Sequence, residues 1–213
     1  GTLTGQSGGA TTLTGTNLAR ATGVAFGGVA ATRVSVINST TVTAVTPAHA
    51  IGAVDGVVQT PSGDATLSNG FTYLATAVGQ STAGGTIGAL DGGLRNLVAA
   101  TADNSTAVEW SGFGTATNAQ SISDGSANTA TIISVLGNNG GTPYAAEVCS
   151  AYEVDSQGNT PCQAGNACYN DWFLPAQDQL NALYINQVAI GGFSVGVYWS
   201  STESSANPTV SAW

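Results

Sequence analysis

Arg33-Val-Ser-Val-Ile-Asn-Ser-Thr-Thr-Val-Thr-Ala-Val45 decides how the first part of the chain folds. Small apolar and β-branched residues alternate with Ser and Thr on either side of Asn38-Ser39, the spacing of two half-buried strands around a turn. Working outward, Gly9-Ala-Thr-Thr-Leu-Thr-Gly15, Val24-Ala-Phe26 and Gly52 to Thr60 repeat the texture. Gly27-Gly28, Pro61-Ser-Gly63 and Ser68-Asn-Gly70 punctuate it, as turns between strands require. No helical period interrupts residues 9 to 74, so an all-β sandwich is expected.

The strings Leu13-Thr-Gly-Thr-Asn-Leu18, Val24-Ala-Phe-Gly-Gly-Val29, Asn38-Ser-Thr-Thr-Val42, Thr46-Pro-Ala-His49 and Asn69-Gly-Phe-Thr-Tyr73 occur in order. They resemble the IPT/TIG family of immunoglobulin-like domains, found in many surface and extracellular proteins. That family begins with one further strand, and only Gly1 to Gln6 precede the Ser7-Gly8 turn here. The first strand is therefore expected to be shortened or absent. Sandwiches lacking a strand leave an edge that another chain can fill.

The chain of 213 residues carries three Lys or Arg against twelve Asp or Glu, 7% charged residues and a net charge of −9. An ordinary soluble domain carries about 25%. Lysine and methionine are absent. Three scattered Arg cannot displace the counterions of a nucleic acid or grip an anionic membrane. No stretch approaches the ~20 apolar residues of a membrane span. The start at Gly1 without Met or signal peptide fits a processed product. Arg20, Arg33, Asp55 and Asp64 cancel within residues 1–76, so the whole deficit falls on 77–213, where Arg95 stands alone among the acids. Such asymmetry predicts two domains of different kind.

From Ala77 the texture becomes that of an α+β domain. Helices are expected over 128–136, closed by Gly137, over 143–152 with Pro143 in the first turn, and over 175–187, where Leu180, Leu183, Tyr184 and Gln187 share a face. Leu94 to Ala100 and Val195 to Ser200 are candidate strands. Cys162 and Cys168 bracket a five-residue polar loop, and their pairing is favoured, although Cys149 with either remains open. A single Cys149 would be either a buried thiol on a helix or a link to another chain.

Leu97-Val-Ala-Ala100, Tyr144-Ala-Ala with Cys149, Asp171-Trp-Phe-Leu-Pro175 and Tyr198-Trp-Ser-Ser-Thr-Glu203 resemble the C-terminal, Lcl-type domain of collagen-like bacterial surface adhesins. This implies a C-type-lectin-like fold over 77–213 and an extracellular bacterial role in adhesion, biofilm or surface assembly. Adhesins of that kind take sulfated polysaccharides, which a segment of charge −9 repels. The family also continues into closing strands past the position of Trp213.

Asp171, Trp172 and Glu203 are the candidate binding residues, with Glu109 and Asn170 as further oxygens should calcium be bound. Calcium takes 6–8 oxygens, and no compact Asp-x-Asp motif supplies them. Trp172, Tyr198 and Trp199 equally fit core aromatics, with the acids capping loops. Glu147, Glu153 and Asp155 read as an acidic helix end and its solvated loop. His49, the sole histidine, has no catalytic or metal partner near it in sequence. No nucleophile stands beside a base, so an enzyme is not expected. Two glycosylation sequons, Asn38-Ser-Thr40 and Asn104-Ser-Thr106, read as chance matches.

Two functions emerge. The first is a structural subunit of a bacterial extracellular filament, a homopolymer joined head to tail by exchange of Gly1 to Gln6 or of the tail from Ser204 to Trp213. With no lysine, isopeptide linkage is chemically impossible. The alternative is a carbohydrate-binding adhesin module without a required cofactor.

Overall fold

The computed structural model describes residues 3–82, 84–90, 96–110 and 115–204. Contacts divide the chain into two compact units, the first ending at Ala77 and the second beginning at Val78.

The first unit is a sandwich of two sheets. Strands β1 (Leu3–Gly5), β2 (Ala10–Thr14), β3 (Gly23–Phe26), β4 (Val29–Ala30), β5 (Thr32–Asn38), β6 (Thr41–Val45), β7 (Gly52–Gln59) and β8 (Ala65–Tyr73) follow in chain order. One sheet runs β1-β8-β7-β3-β4 and the other β2-β6-β5. The opening stretch is β5–β6, an antiparallel pair with Ser35 opposite Thr43 and Val36 opposite Val42. The expected alternation holds in β6, where Val42 and Ala44 are buried while Thr41, Thr43 and Val45 are only half so. It fails in β5, an edge strand exposed at every position but the half-buried Val34. Val24, Phe26, Phe71 and Tyr73 meet them in one core.

The first strand is shortened but present. β1 pairs in parallel with β8, Leu3 opposite Phe71 and Gly5 opposite Tyr73. A Cβ on Gly5 would fall 2.9 Å from the Phe71 ring, so glycine is what lets this strand close over the core. Strand exchange by Gly1 to Gln6 therefore lacks its vacancy, because the edge beside β8 is filled from within the same chain. Two of the other edges are blunted without lysine. β4 has two residues, and β5 carries register shifts near both ends, devices that discourage edge pairing as well as charge does. The tail proposed as the other exchange segment lies, beyond Ser204, outside the described residues.

The second unit is α+β. Its elements are β9 (Ser81–Thr82), β10 (Gly85–Ala89), β11 (Leu97–Ala99), α1 (Gly125–Leu136), α2 (Ala145–Ala151), β12 (Val154–Asp155), β13 (Cys168–Tyr169), α3 (Gln177–Ile185) and α4 (Gln187–Ile190). Strands β11-β10-β9 form one small sheet and β12-β13 another. Helix α1 begins three residues earlier than its apolar period indicates, because Asp124 caps it by accepting from the Ala127 N–H at 2.9 Å. Its inward face is Gly125, Asn128, Thr129 and Ile132, a helical spacing built largely from polar residues. Gly125 permits a close approach: a Cβ there would meet the Leu174 carbonyl at 2.6 Å and the Gln179 amide oxygen at 2.5 Å. That Gln179 oxygen accepts from the N–H groups of both Gly125 and Ala176, each at 2.9 Å. One side chain thus ties the start of α1 to the start of α3.

Residues 195–200 form no strand among the described residues. Side chains hold this extended segment in place of a ladder. Tyr198 bonds Asp103, and the Trp199 indole N–H donates to the Val108 carbonyl at 2.9 Å. Downstream, Ser200 to Ser204 run through the interior. The Trp110 indole N–H donates to the Ser200 carbonyl at 2.6 Å, and Thr202 accepts from the Gln177 N–H and donates to the Ser121 carbonyl. The candidate strand over 94–100 is β11 alone, and Leu94 and Arg95 lie outside the described residues.

Candidate functional site

Glu203 is 1% exposed. Its Oε1 accepts from the Thr117 N–H at 2.7 Å and the Thr117 hydroxyl at 3.2 Å, and its Oε2 accepts from the Asn118 N–H at 2.6 Å. Those donors occupy the carboxylate inside the fold. Asp171 is exposed, and Trp172 beside it is half-buried. The Trp172 ring packs edge-on against Tyr152, centroids 5.3 Å apart, and its N–H donates to the Tyr169 carbonyl at 3.1 Å. Asp171 and Trp172 thus share a surface, whereas the oxygens of Glu203 are turned to Thr117 and Asn118. Glu109 and Asn170 are exposed.

The Cys162–Cys168 disulfide forms. Acids expected to be solvated organise the loop it closes. Asp155 is fully buried. Its oxygens accept from the Gln157 and Asn159 N–H groups, both at 2.9 Å, from the Gln163 N–H at 3.2 Å, and from the side-chain amides of Asn159 and Asn166. Burial by itself would raise the carboxyl; the bonds from Asn166, Asn159 and Gln157 outweigh it and hold the group far below the usual carboxylate range. Glu153 accepts from the Cys162 N–H at 2.9 Å. Its nearness to both cysteines makes no metal centre while the two sulfurs are bonded to each other. The signal in the sequence was an Asp followed by two Asn, Asn159 ahead of the disulfide-closed loop and Asn166 within it.

Cys149 lies on α2, half-buried against the core of Trp110, Ile132, Tyr144 and Leu174. Burial pushes its thiol up to about 11. The thiolate is the reactive form, so this residue is a poor link to another chain. Native protein near neutral pH is expected to react with a maleimide far more slowly than unfolded protein, the rate climbing steadily into the alkaline range. The thiol binds its proton more tightly when folded, so its contribution to stability is complete below an unfolded value of about 8.5 and declines as pH rises towards 11. Rapid, stoichiometric labelling at neutral pH would contradict this placement.

His49 stacks on Tyr73 at 5.0 Å with 14° between planes, and its Nδ1 lies 3.0 Å from the Ala50 carbonyl. It packs as part of the first unit.

Among the described residues of the second unit, a groove of about 610 Å³ opens between α3 and residues 193–198. Gln177, Asp178, Asn181 and Tyr184 form its helical wall, at a spacing that brings them to one face. The expectation that Tyr184 shares the inward face of Leu183 is corrected here. Leu183 is buried, whereas Tyr184 is 66% exposed. Phe193, Val195 and Tyr198 form the opposite wall. That wall is fastened from behind: the Tyr198 hydroxyl donates to Asp103 at 2.9 Å and accepts from the Ser194 N–H at 2.7 Å, while Phe193 meets the Tyr198 ring edge-on at 5.4 Å. Burial and the neighbouring Asp103 push the Tyr198 phenol up, so it stays a donor at neutral pH. The side chains of Asp178 and Asn181 bond no other described residue, which leaves a carboxylate and an amide facing a groove flanked by aromatic rings. Concave sites with apolar walls and a few polar groups are the usual form of small-ligand sites. The spacing Gln177, Asp178, Asn181, Tyr184 was present in the sequence but was masked by the apolar residues interleaved with it.

Residues 2–74 match the IPT/TIG domain family, and this part of the chain is an IPT/TIG domain. No curated protein matches the chain. Among solved structures, the Bacteroides ovatus mixed-linkage glucan utilization locus protein SGBP-B, in complex with a mixed-linkage heptasaccharide, aligns at 20% identity over 33% of this chain, with a TM-score of 0.28. The alignment spans 21% of that protein, and a likeness of this degree carries no argument. No helix among the described residues is long and apolar enough to cross a membrane.

Proposed function

We propose that the chain is a non-catalytic adhesion module of a bacterial surface, in which an IPT/TIG domain is joined to a carbohydrate-binding α+β domain. The groove between α3 and residues 193–198 carries this reading. It combines Tyr184, Phe193 and Tyr198 with the unengaged side chains of Asp178 and Asn181. Sugars need that mixture, because a pyranose ring offers C–H patches to an aromatic face and hydroxyls to amides and carboxylates. The site so placed differs from the surface expected around Asp171, Trp172 and Glu203. Of those three only Asp171 and Trp172 reach solvent.

An extracellular setting is favoured by the Cys162–Cys168 disulfide, since such bonds persist in oxidising compartments. The Lcl-type, lectin-like affiliation belongs to the same proposal. Its two signature strings, Asp171-Trp-Phe-Leu-Pro175 and Tyr198-Trp-Ser-Ser-Thr-Glu203, bracket α3, α4 and the far wall of the groove. A glycan array probed with the whole chain, with and without calcium, tests the proposal. Selective retention on a subset of sugars is expected, and a blank array in both conditions would remove it.

A further inference from the structure

Resting on that glycan reading, we infer that the groove takes an uncharged sugar chain and needs no bridging cation: one pyranose ring stacks on Tyr184 while Asp178 and Asn181 hold its hydroxyls. Asp178, Asn181 and Tyr184 recur at three-residue intervals along α3, so carboxylate, amide and ring lie in sequence along one helix wall. A carboxylate accepts two hydroxyl protons and an amide both donates and accepts, which matches neighbouring sugar hydroxyls. The Tyr184 ring, largely exposed, offers the flat apolar face that the other half of a sugar requires.

Charge decides between sugar classes. A sulfated or uronic chain needs Arg or Lys to pair its anions, and the groove wall offers Asp178, with Asp103 behind Tyr198. The sequence of the second unit contains Arg95 as its single cationic residue and no lysine, so the surrounding field repels polyanions. Calcium bridging needs 6–8 oxygens, several from carboxylates. Asp178 is the single carboxylate among the described residues lining the groove, and Glu203 is committed to Thr117 and Asn118. Recognition therefore falls to stacking and direct hydrogen bonds, in a wall already fixed by the Asp103–Tyr198 contact.

The test is calorimetric titration of the whole chain with soluble neutral glucan and mannan oligosaccharides, with heparin as the sulfated chain and with chitosan oligosaccharides as the cationic one. Each is run in EDTA and in excess calcium, at low and high salt. The expected result is saturable binding to at least one neutral chain, indifferent to EDTA and to salt. Tyr184→Ala should weaken it about tenfold or more, and Tyr184→Phe should retain it. Because Tyr184 projects from the surface, far-UV circular dichroism of Tyr184→Ala should match the parent. Binding confined to heparin or chitosan, binding abolished by EDTA, or neutral binding indifferent to Tyr184→Ala would each overturn this inference while leaving a glycan-binding protein. Failure to bind any of the sugars in any condition would overturn the inference and the adhesion reading together.

Discussion

Glu203→Ala is expected to destabilise the second unit by about 2–6 kcal/mol, the cost of leaving the two buried Thr117 donors without their charged acceptor. Three donor groups, the Thr117 N–H, the Thr117 hydroxyl and the Asn118 N–H, converge on this carboxylate. Truncation leaves the two Thr117 donors without an acceptor in the interior, and each unsatisfied buried donor costs about 1–3 kcal/mol, while the N–H of the exposed Asn118 can turn to water. The backbone of Glu203 adds a second tie, its N–H donating to the Ala119 carbonyl at 2.8 Å, which the substitution leaves in place. Glu203→Gln keeps one acceptor oxygen and turns an NH2 group towards donors, so it should lose less, about 1–3 kcal/mol. All four tryptophans, Trp110, Trp172, Trp199 and Trp213, belong to the second unit by sequence. Indole fluorescence during urea unfolding therefore reads this unit. Equal stability of Glu203→Ala and parent would mean that the carboxylate is solvated, contrary to its placement.

The same residue shows what was and was not legible in the sequence. Tyr198-Trp-Ser-Ser-Thr-Glu203 stood out, but its acid suggested a ligand site because a carboxylate beside aromatics has the composition of one. What a sequence does not display is where the backbone donors go. Thr117 and Asn118 lie more than eighty residues away, and only the fold brings them to Glu203. The burial of Asp155 is illegible on different grounds: its partners lie within eleven residues of it, but they are N–H groups and asparagine amides that carry no charge signal. Strand alternation was legible in β6, which buries Val42 and Ala44 with a period set by the backbone itself, whereas the same texture in β5 gives a strand that is exposed at every position but the half-buried Val34. The Cys162–Cys168 pairing followed from local spacing. The groove was not legible, because α3 interleaves its core residue Leu183 with its outward residues Asn181 and Tyr184. A helix with two useful faces gives a blurred period.

Phe71→Ala is the corresponding experiment on the IPT/TIG domain, with an expected loss of about 3–5 kcal/mol for a buried aromatic truncated to a methyl group. Phe71 is fully buried on β8, with ring centroids 4.8 Å from Phe26 and 4.9 Å from Tyr73. Removing it separates Phe26 on β3 from Tyr73 and deletes the surface on which β1 closes, because Gly5 is in contact with the Phe71 ring. The effect should therefore extend beyond a cavity. Amide exchange should accelerate in β7 and β8, where Val54 opposes Phe71, and most of all in β1, which is three residues long and paired with β8 alone. Phe71→Leu, which refills much of the volume, should recover more than half of the loss. If Phe71→Ala speeds exchange in β7 while β1 stays protected, β1 is held by something other than this core. Selective release of β1 would have a further consequence, since it would uncover the β8 edge that the native chain fills for itself. Phe71→Ala at high concentration should then self-associate where the parent does not, and analytical ultracentrifugation of the two proteins side by side decides the matter.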